Sequence, residues 1–517
     1  MSMGERYLII DMGSTKTEIV LYDASLTVLA APSFPTPRSH HDGYSCIDPK
    51  SYIPDILRTI AGLELESAST EPLYVSVTGM GSTILVASRD GSVLYPSIAW
   101  YEEAKRLVPS QLPRRWTGKF PLPSYPAYKV PILKEAVGAH VASPAGQRPD
   151  VLFLSLPDYV LAALGGYRSW VTDRSFASRS MLFDDAHSQW DTAMLRELDV
   201  GGDELPEVVS AGEVIGEPSE EVRRAAGLPA KTLLLAGMHD HIATTYAANA
   251  IRGALGAALW INPGGTTESV VELYPVSETL VTEAPTRMLN TEASWRPDVL
   301  AVIAYPTLSG AILQFAETFA LDWSVSEALF DRAPVAAPPR RRLMTKDKGI
   351  LPAGDCPDTV EELWKALILS TQYELRSACD ELTELGHANG EREGVLLLGG
   401  QAKVSRLRTL KSAVMQAPVY TARAGNIAAL GVALLLHESR SGRAADRDAA
   451  LQRIAAGVRV ENADSELRGA AERGYHRYRE IVDQVDRAAG RKGAPFDKDK
   501  FEEQRDNEGN HEDTGRR

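Results

Sequence analysis

The sequence predicts an α/β protein built from two similar halves, and three observations support this. Predicted strands and helices alternate along the chain. A strand, a turn of small, hydroxylic or acidic residues and a second strand occur near the start, and the pattern returns after about residue 231. A chain of 517 residues is also too long for one ordinary domain. Because α/β sheets bind ligands at such turns, we expect the two sets of turns to face a central cleft.

Composition indicates an ordered globular protein and argues against two kinds of partner. Hydrophobic residues make up 44% and charged residues 24% of the chain, as in ordinary globular domains. The net charge of −14 disfavours nucleic acid and anionic membranes as partners. Three scattered cysteines without zinc-like spacing, Cys46, Cys356 and Cys379, predict a reducing, cytoplasmic setting. We recognise no leader sequence or membrane-length apolar run, which supports the same expectation.

The first half opens with a predicted hairpin. Residues 7–10 form an apolar run that ends at Asp11, and residues 19–22 form its partner. The tip between them holds Gly13, Ser14, Thr15 and Lys16. Such a tip can present backbone N–H groups to phosphate oxygens, and a carboxylate at a strand end can hold hydrated magnesium. On these residues alone, an ordinary polar turn is an equal alternative.

The remaining elements follow in order. The first half predicts a strand at 26–31, a helix at 49–61, a strand at 73–78, a hairpin around Asp90-Gly91 and helical periodicity over 128–165. A second cycle begins near Lys231, with strands in TLLLAGMHDH, GAALWINPGGTTESVVEL and GVLLLGGQAK. We therefore predict domains at 1–246 and 247–485. The charged segment 486–517 has few aliphatic residues and predicts a disordered tail.

Several stretches carry a family resemblance when they are taken in order. Asp11 to Thr15 matches a first phosphate motif, and Ser124, Pro126 and Lys129 in PLPSYPAYKVPIL match a signature. The most specific stretch is LSLPDYVLAALGGYRSWVTDRSFASRSMLFDDAHSQWD. AGMHDH, PGGTTES, LLLGGQAK and the segment from Asn426 to Ala433 follow at the expected places. Together they resemble the FGGY carbohydrate kinases of the actin-like ATPase superfamily, over almost the whole chain.

The resemblance implies a fold and an activity. The fold would be two actin-like, ribonuclease H-like domains that flank a central catalytic cleft. The activity would be transfer of the γ-phosphoryl group of ATP, with Mg²⁺, to a hydroxyl of a small sugar, ketose or polyol. A carboxylate suits this chemistry because it can take the proton of the attacking hydroxyl. The partner would be this small molecule, with no nucleic acid or membrane, and the assembly a candidate homodimer.

The resemblance also assigns roles to residues. Asp240 falls on the catalytic base and Asp11 on the magnesium ligand. The expected nucleotide-binding residues are Asp11, Gly13, Ser14, Thr15, Lys16, Gly265, Thr266, Thr267, Gly399, Gly400 and Gln401. The expected substrate-binding residues are Met80, Gly81, Ser82, Trp100, Tyr125, His239 and Asp240.

Some of these residues have other interpretations. His239, Asp240 and His241 could form a metal site, but successive residues at a strand end usually point to opposite sides, so Asp240 would point away from the histidines, which argues against one. Trp100 is as compatible with a core position as with a sugar site. Residues 80–82 are as compatible with a plain turn.

The chain departs from the family pattern in places. Glu18 stands where the family usually has a cation, so Lys16 is the alternative source of positive charge. Ile132 replaces an expected tryptophan. The family's Trp-x-Asp-x-Arg motif corresponds to Trp100 to Ala104, where alanine replaces the arginine. Arg106 is the candidate substitute for that arginine. Residues 315–362 lack the family's Gly-Glu-Arg-x-Pro loop, which leaves the substrate open.

Two alternatives to a kinase remain. The first is a catalytically weak, sugar- or nucleotide-binding regulator on the same fold. The second is an actin-like or chaperone-like ATPase that acts on proteins. A P-loop kinase is disfavoured because Gly118-Lys119 lacks both the following hydroxyl residue and the preceding glycine.

Overall fold

The computed structural model describes residues 4–65, 71–104, 119, 123–140, 150–264, 268–284, 289–304, 360–385, 392–440 and 444–488. Among these residues lie two seven-stranded sheets, one five-stranded sheet and two strand pairs. The predicted nucleotide-binding residues Gly265, Thr266 and Thr267 fall outside the described residues, as do Arg106, 305–359 and 489–517.

The strands and helices have the following bounds. The strands are β1 (Arg6–Met12), β2 (Lys16–Tyr22), β3 (Val28–Ala30), β4 (Ser33–Pro35), β5 (Ser39–His41), β6 (Tyr44–Ile47), β7 (Leu73–Gly79), β8 (Ile84–Ser88), β9 (Val93–Ile98), β10 (Val151–Leu154), β11 (Val171–Asp173), β12 (Phe183–Asp184), β13 (Gln189–Trp190), β14 (Glu207–Val209), β15 (Val214–Gly216), β16 (Thr232–Leu235), β17 (Leu259–Pro263), β18 (Val270–Pro275), β19 (Leu289–Ala293), β20 (Val299–Ala304), β21 (Gly394–Leu398), β22 (Val419–Thr421) and β23 (Arg459–Glu461). The helices are α1 (Pro49–Ala61), α2 (Pro126–His140), α3 (Leu156–Leu164), α4 (Arg174–Arg179), α5 (Thr192–Glu197), α6 (Glu220–Ala226), α7 (Asp240–Leu255), α8 (Glu278–Glu283), α9 (Val360–Leu385), α10 (Ser405–Met415), α11 (Ile427–Arg440), α12 (Ala444–Ala456) and α13 (Ser465–Ala488).

Strand β1 lies inside the first sheet and is buried on both faces. Tyr7 and Ile9 pack into one apolar cluster, whereas Leu8 and Ile10 pack into another. This alternation follows from the two-residue period of a strand. The first of these clusters also contains Leu259 and other residues of the second half, so the two halves share part of one core.

The order of the first sheet is β15-β16-β7-β1-β2-β3, with β4 also paired to β2. Strands β1, β7 and β16 are parallel, so their carboxyl ends meet at one edge of the sheet. The chain leaves these ends at Asp11, at Met80 and at the segment that leads to Asp240. Open α/β sheets usually bind ligands at such an edge.

The second sheet repeats this arrangement and confirms the predicted similarity of the two halves. Its order is β19-β20-β18-β17-β21-β22-β23. The hairpin of β17 and β18 corresponds to that of β1 and β2, and β21 pairs parallel to β17 as β7 does to β1. The segments after Pro263 and Leu398 therefore leave one edge of this sheet.

Helices α7 and α11 pack the two halves against each other. A Cβ atom on Gly431 would lie 1.9 Å from the carbonyl oxygen of Ala243, so a glycine permits this close approach. The buried hydroxyl of Tyr7 also lies 3.0 Å from Nδ1 of His437. Helix α11 is therefore held both against α7 and against β1 of the first sheet.

Most predicted elements are confirmed, including the hairpins and helix α1. The continuous helical periodicity over 128–165 is wrong, because β10 lies between α2 and α3 and extends the five-stranded sheet. Strand β16 closes the first sheet rather than opening the second. The predicted domain boundary at 246 lies inside α7, and α13 continues three residues into the predicted tail. In the described part of the chain, no helix is both long and apolar enough to cross a bilayer.

Candidate active site

Asp11, near the end of β1, lies in a concentration of negative charge. Its Oδ2 accepts a 2.7 Å hydrogen bond from the side-chain amide of Asn426, which also donates to Glu18 at 3.1 Å. Burial raises the pKa of Asp11 to about 7; the Asn426 bond opposes the shift, and the charges of Asp240 and Glu18 add to it. A divalent cation would relieve this repulsion, so the carboxylate fits the predicted role of a magnesium ligand.

The tip of the first hairpin is held in shape through its carbonyl groups. The hydroxyl of Thr36 donates to the carbonyl oxygen of Gly13 at 2.7 Å, and the backbone N–H of Thr36 donates to the carbonyl oxygen of Thr15. The guanidinium of Arg38 donates to the oxygen of Ser14 at 2.8 Å. A Cβ on Gly13 would lie 2.8 Å from the oxygen of Lys16. The tip is therefore a supported turn rather than a loose one.

Lys16 lies at the exposed edge of this tip. Its side chain is 57% exposed, and its ammonium lies 3.0 Å from Glu18. Glu18 therefore partly neutralises the charge of Lys16, the residue expected to supply the positive charge that the family usually has at position 18. The use of Lys16 for phosphate binding stays a prediction.

Asp240 begins helix α7, close to the carboxyl edge of the first sheet. Its Oδ1 accepts hydrogen bonds from the N–H of His241 at 2.7 Å and from Nε2 of His239 at 3.0 Å. Burial favours the neutral acid, but the charge and hydrogen bond of His239 outweigh it, and the pKa of Asp240 is lowered. The positive end of the helix also favours a carboxylate here. Asp240 is ionised at neutral pH, as a general base must be.

His239 is buried between two carboxylates. Its Nε2 faces Asp240, and its Nδ1 lies 3.2 Å from Oε2 of Glu292. Burial opposes the imidazolium, but Asp240 and Glu292 together raise the pKa of His239 to about 9. Both ring nitrogens are occupied, which leaves neither for a metal.

The two histidines around Asp240 lie on the same side. Their rings stack at 5.4 Å with an interplanar angle of 6°. A strand end at this position would point Asp240 away from both histidines. Asp240 instead starts a helix, and its Oδ1 lies 3.0 Å from Nε2 of His239, so that expectation is wrong. No group of three His, Cys, Asp or Glu side chains suited to a metal is found among the described residues.

Glu292 comes from β19 in the second half and is bound by Arg179 from the first. Nη1 of Arg179 lies 2.8 Å from Oε1 of Glu292, and its guanidinium lies 5.0 Å from the ring centre of Tyr125. Burial would raise the pKa of Glu292, but Arg179 and His239 hold it well below its usual range. Tyr125 donates to Asn290 at 3.1 Å, so this predicted substrate residue contacts the neighbouring half.

The predicted substrate loop at 80–82 packs against His239 and Arg179, next to the predicted base. A Cβ on Gly81 would come within 2.6 Å of the His239 ring and 2.5 Å of Arg179. Ser82 adopts a positive φ of 58°, and its carbonyl accepts from the buried Lys129 at 3.0 Å. The N–H of Met80 donates to the oxygen of Met12 at 3.1 Å. Residues 80–82 are thus packed against the site and are not a free surface turn.

Trp100 has a different setting. Its ring is partly buried against the apolar cluster that contains Leu8 and Tyr52, and it makes an edge contact with Tyr101 at 5.5 Å. These contacts agree with the core interpretation. A role for Trp100 in substrate binding stays a prediction.

The two segments of the second half that are predicted to bind the nucleotide begin next to each other. The N–H of Gln401 donates to the oxygen of Gly264 at 3.0 Å, which joins the turn at Gly399 and Gly400 to the start of the turn at 264–268. Gly399 has a φ of 85°, a backbone conformation that glycine adopts at low cost. A bridge between Gly264 and Glu268 closes the second turn.

A buried ion pair lies beneath these turns. Glu268 contacts Lys411, and the two side chains are 1% and 0% exposed. The amides of Gln372 and Gln401 donate to the second oxygen of Glu268 at 3.3 and 3.4 Å. The pair links the turn at 264–268 to helix α10.

Sequence reasoning did not assign functions to Glu292 or Arg179, and it did not connect Asn426 to Asp11. One signal for Glu292 was available, since LNTEASW is an otherwise buried strand with a single acidic residue. Such a residue needs a cation or a hydrogen-bond donor nearby. The identity of that partner cannot be read from local sequence.

Solved structures with this architecture define the class of fold. A xylulose kinase from Lactobacillus acidophilus superposes with a TM-score of 0.76 and 18% identity, over 95% of this chain and 99% of that chain. A gluconate kinase from the same organism gives 0.74 and 19%, over 93% and 98%. A Plasmodium falciparum glycerol kinase gives 0.71 and 15%, over 94% and 99%. The chain has the two-domain, actin-like fold of these kinases.

Sequence comparison adds a similarity that is confined to the first half of the chain. Residues 6–247 match the model of the FGGY family of carbohydrate kinases, N-terminal domain. A glycerol kinase from Thermococcus gammatolerans is 28% identical over 231 residues, which are 42% of this chain and 46% of the relative. One from Alteromonas mediterranea is 27% identical over 237 residues, 43% and 47% respectively. The match therefore spans about half the length of these curated relatives, and residues 6–247 are similar to the N-terminal domain of the FGGY carbohydrate kinases.

Proposed function

We propose that this protein transfers the γ-phosphoryl group of ATP to a hydroxyl of a small sugar, ketose or polyol. The observation that carries the proposal is the state of Asp240. It is ionised and 27% exposed, it begins a helix packed between the two halves, and its charge acts on Asp11. FGGY relatives named as glycerol, xylulose and gluconate kinases support the substrate class.

In the proposed reaction, Asp240 accepts the proton of the substrate hydroxyl as the oxygen attacks the γ-phosphorus. A new P–O bond forms, the bond between the γ-phosphorus and the bridging oxygen breaks, and ADP leaves with that bonding pair. A positioned general base of this kind contributes about 10²- to 10⁴-fold to the rate. Closure of the two halves would keep water from the γ-phosphate and prevent wasteful hydrolysis.

Asp11 would hold Mg²⁺ through its hydration shell. When bound, the ion offsets the charge of the phosphates. The turns at 13–16, 264–268 and 399–401 would bind the nucleotide, because glycine and hydroxyl residues let backbone N–H groups approach phosphates closely. Buried free thiols at Cys46 and Cys379 are compatible with the predicted cytoplasmic setting. A homodimer stays a prediction.

The test is sugar-dependent release of ADP with Mg-ATP across a panel of polyols, ketoses and sugar acids. Asp240→Asn should lower kcat about 10²- to 10⁴-fold with the accepted substrate. Asp298→Asn is the matched control, since Asp298 pairs only with surface Arg296 among the described residues. Turnover by Asp240→Asn within tenfold of the parent would refute the assignment of the base. ATP binding without turnover on any substrate would favour the catalytically weak regulator.

A further inference from the structure

His239 connects the predicted base to the opposite half of the molecule. Its Nε2 lies 3.0 Å from Oδ1 of Asp240, in the same segment, and its Nδ1 lies 3.2 Å from Oε2 of Glu292, on β19. The side chains of His239 and Glu292 are 4% and 0% exposed, so solvent does not compete for these hydrogen bonds.

The two contacts determine the form of the imidazole. An ionised carboxylate only accepts hydrogen bonds, and a neutral imidazole has one donor nitrogen. With an ionised carboxylate at each nitrogen, both nitrogens must donate, and the ring is an imidazolium. Arg179 keeps Glu292 ionised by its 2.8 Å contact with the other oxygen.

The same contacts orient the carboxylate of Asp240. Oδ1 receives two hydrogen bonds, one from His239 and one from the N–H of His241. Oδ2 has no hydrogen-bond partner among the described residues, and the side chain is partly exposed. One oxygen is therefore held while the other is left for a substrate hydroxyl.

The His239 ring has little freedom to leave this position. The missing side chain of Gly81 leaves room for the ring, since a Cβ there would lie 2.6 Å from both Cδ2 and Nε2. The ring also stacks on His241 and lies 6.0 Å from the ring of Phe176. Its backbone N–H donates to Ser175 at 2.8 Å.

We propose that Glu292 and His239 are positioning residues that orient Asp240, so that the second half of the molecule completes the base carried by the first half. The proposal rests on the proposed kinase function, because it assigns Asp240 the role of base. It adds two residues that act through Asp240, and it gives His239, one of the predicted substrate-binding residues, a positioning role instead. It also ties the base to the contact between the halves, because β19 and α7 must stay together for the hydrogen bonds to form.

Several charged or titratable groups face His239 or act on it. Its own segment contributes Asp240 and His241, β11 contributes Asp173, α4 contributes Arg179 and β19 contributes Glu292. The carboxylates favour the imidazolium, and Arg179 opposes it while holding Glu292 in place. Neutralising Glu292 removes the carboxylate that faces Nδ1 directly.

The kinetic test compares Glu292→Gln with the parent. A base misplaced by about 1 Å costs roughly 10²-fold, so we expect kcat to fall about 10- to 100-fold while the KM for ATP changes less than threefold. The acidic limb of the kcat/KM profile should also move to higher pH, because Asp240 loses part of the charge that lowers its pKa. An unchanged limb with normal kcat would overturn the proposal.

The control is Thr291→Val, at the adjacent position of β19. The Thr291 hydroxyl also crosses between the halves, donating to Asp185 at 2.9 Å, but no described contact joins it to His239. Thr291→Val should keep the acidic limb in place. If it shifts that limb as much as Glu292→Gln does, the effect belongs to domain packing in general and the proposal fails.

A second measurement does not depend on turnover. The protein has 10 histidines, and ¹³C labelling of the ring Cε1 allows each to be titrated by NMR, with the His239 signal assigned from its loss in His239→Gln. In the parent, the imidazolium of His239 should persist to about pH 9. In Glu292→Gln its pKa should fall by at least one unit, and an unchanged value would refute the hydrogen bond. If the NMR shift occurs but no sugar is phosphorylated, the contact stands and the kinase function fails.

Discussion

The buried ion pair of Lys411 and Glu268 gives a sharp prediction about stability. Lys411 and Glu268 are 0% and 1% exposed. Replacing Lys411 with methionine keeps most of the side-chain volume but leaves a buried carboxylate without its cation. Loss of one partner of a buried pair costs about 3–5 kcal/mol. At roughly 2–4 °C per kcal/mol for a domain of this size, the melting transition that includes the second sheet should fall by about 6–20 °C.

The assay is thermal unfolding followed by circular dichroism and by differential scanning calorimetry. The double variant Lys411→Met/Glu268→Gln should recover at least half of the lost stability, because neither charge then remains buried. Arg296→Met is the control, since its partner Asp298 is 60% exposed and such surface pairs are worth about 0–1 kcal/mol. A loss below about 1 kcal/mol for Lys411→Met, or a double variant as unstable as the single one, would refute the reasoning.

Two further predictions concern other contacts. Gly431→Ala should destabilise the protein by about 1–3 kcal/mol in chemical unfolding, although alanine favours helices by about 1 kcal/mol, because its Cβ would overlap the carbonyl of Ala243; a stabilised variant would contradict the close helix packing. His239 has a folded-state pKa of about 9 against 6.5 for the free side chain, so its contribution to stability is complete below pH 6.5 and is lost as pH rises through 9. The parent should therefore lose more thermal stability between pH 6.5 and 9 than His239→Gln does, and equal slopes would contradict the charged contact with Glu292.

Local patterns predicted much of the fold. The strand periods at 7–10 and 19–22 and the helix at 49–61 reflect contacts within a few residues. The strand Val151–Leu154 was missed because a four-residue apolar run between helices has no period that separates it from a helix. Strand β16 was interpreted as the start of the second cycle of strands and turns, because its partner in the first sheet, β7, lies about 160 positions earlier.

The candidate site was predicted in part for the same reason. Asp11 and Asp240 stand at the ends of strands or the start of a helix, which motifs reveal. Glu292 reaches His239 from 53 positions away and from another sheet, and no local pattern encodes that contact. Predicting the contact between His239 and Asp240 also required knowing that a helix starts at Asp240.

The late position of β16 has a consequence for synthesis on the ribosome. After β7 has emerged, about 150 more residues must be made before β16 can pair with its free edge. At about 5–20 residues per second this takes roughly 8–30 s. During that time the nascent chain exposes an apolar strand edge, which is a substrate for chaperones. Asn426, the partner of Asp11, is made later still, 415 positions along the chain. The incomplete polypeptide therefore cannot assemble the site before most of its length has left the ribosome.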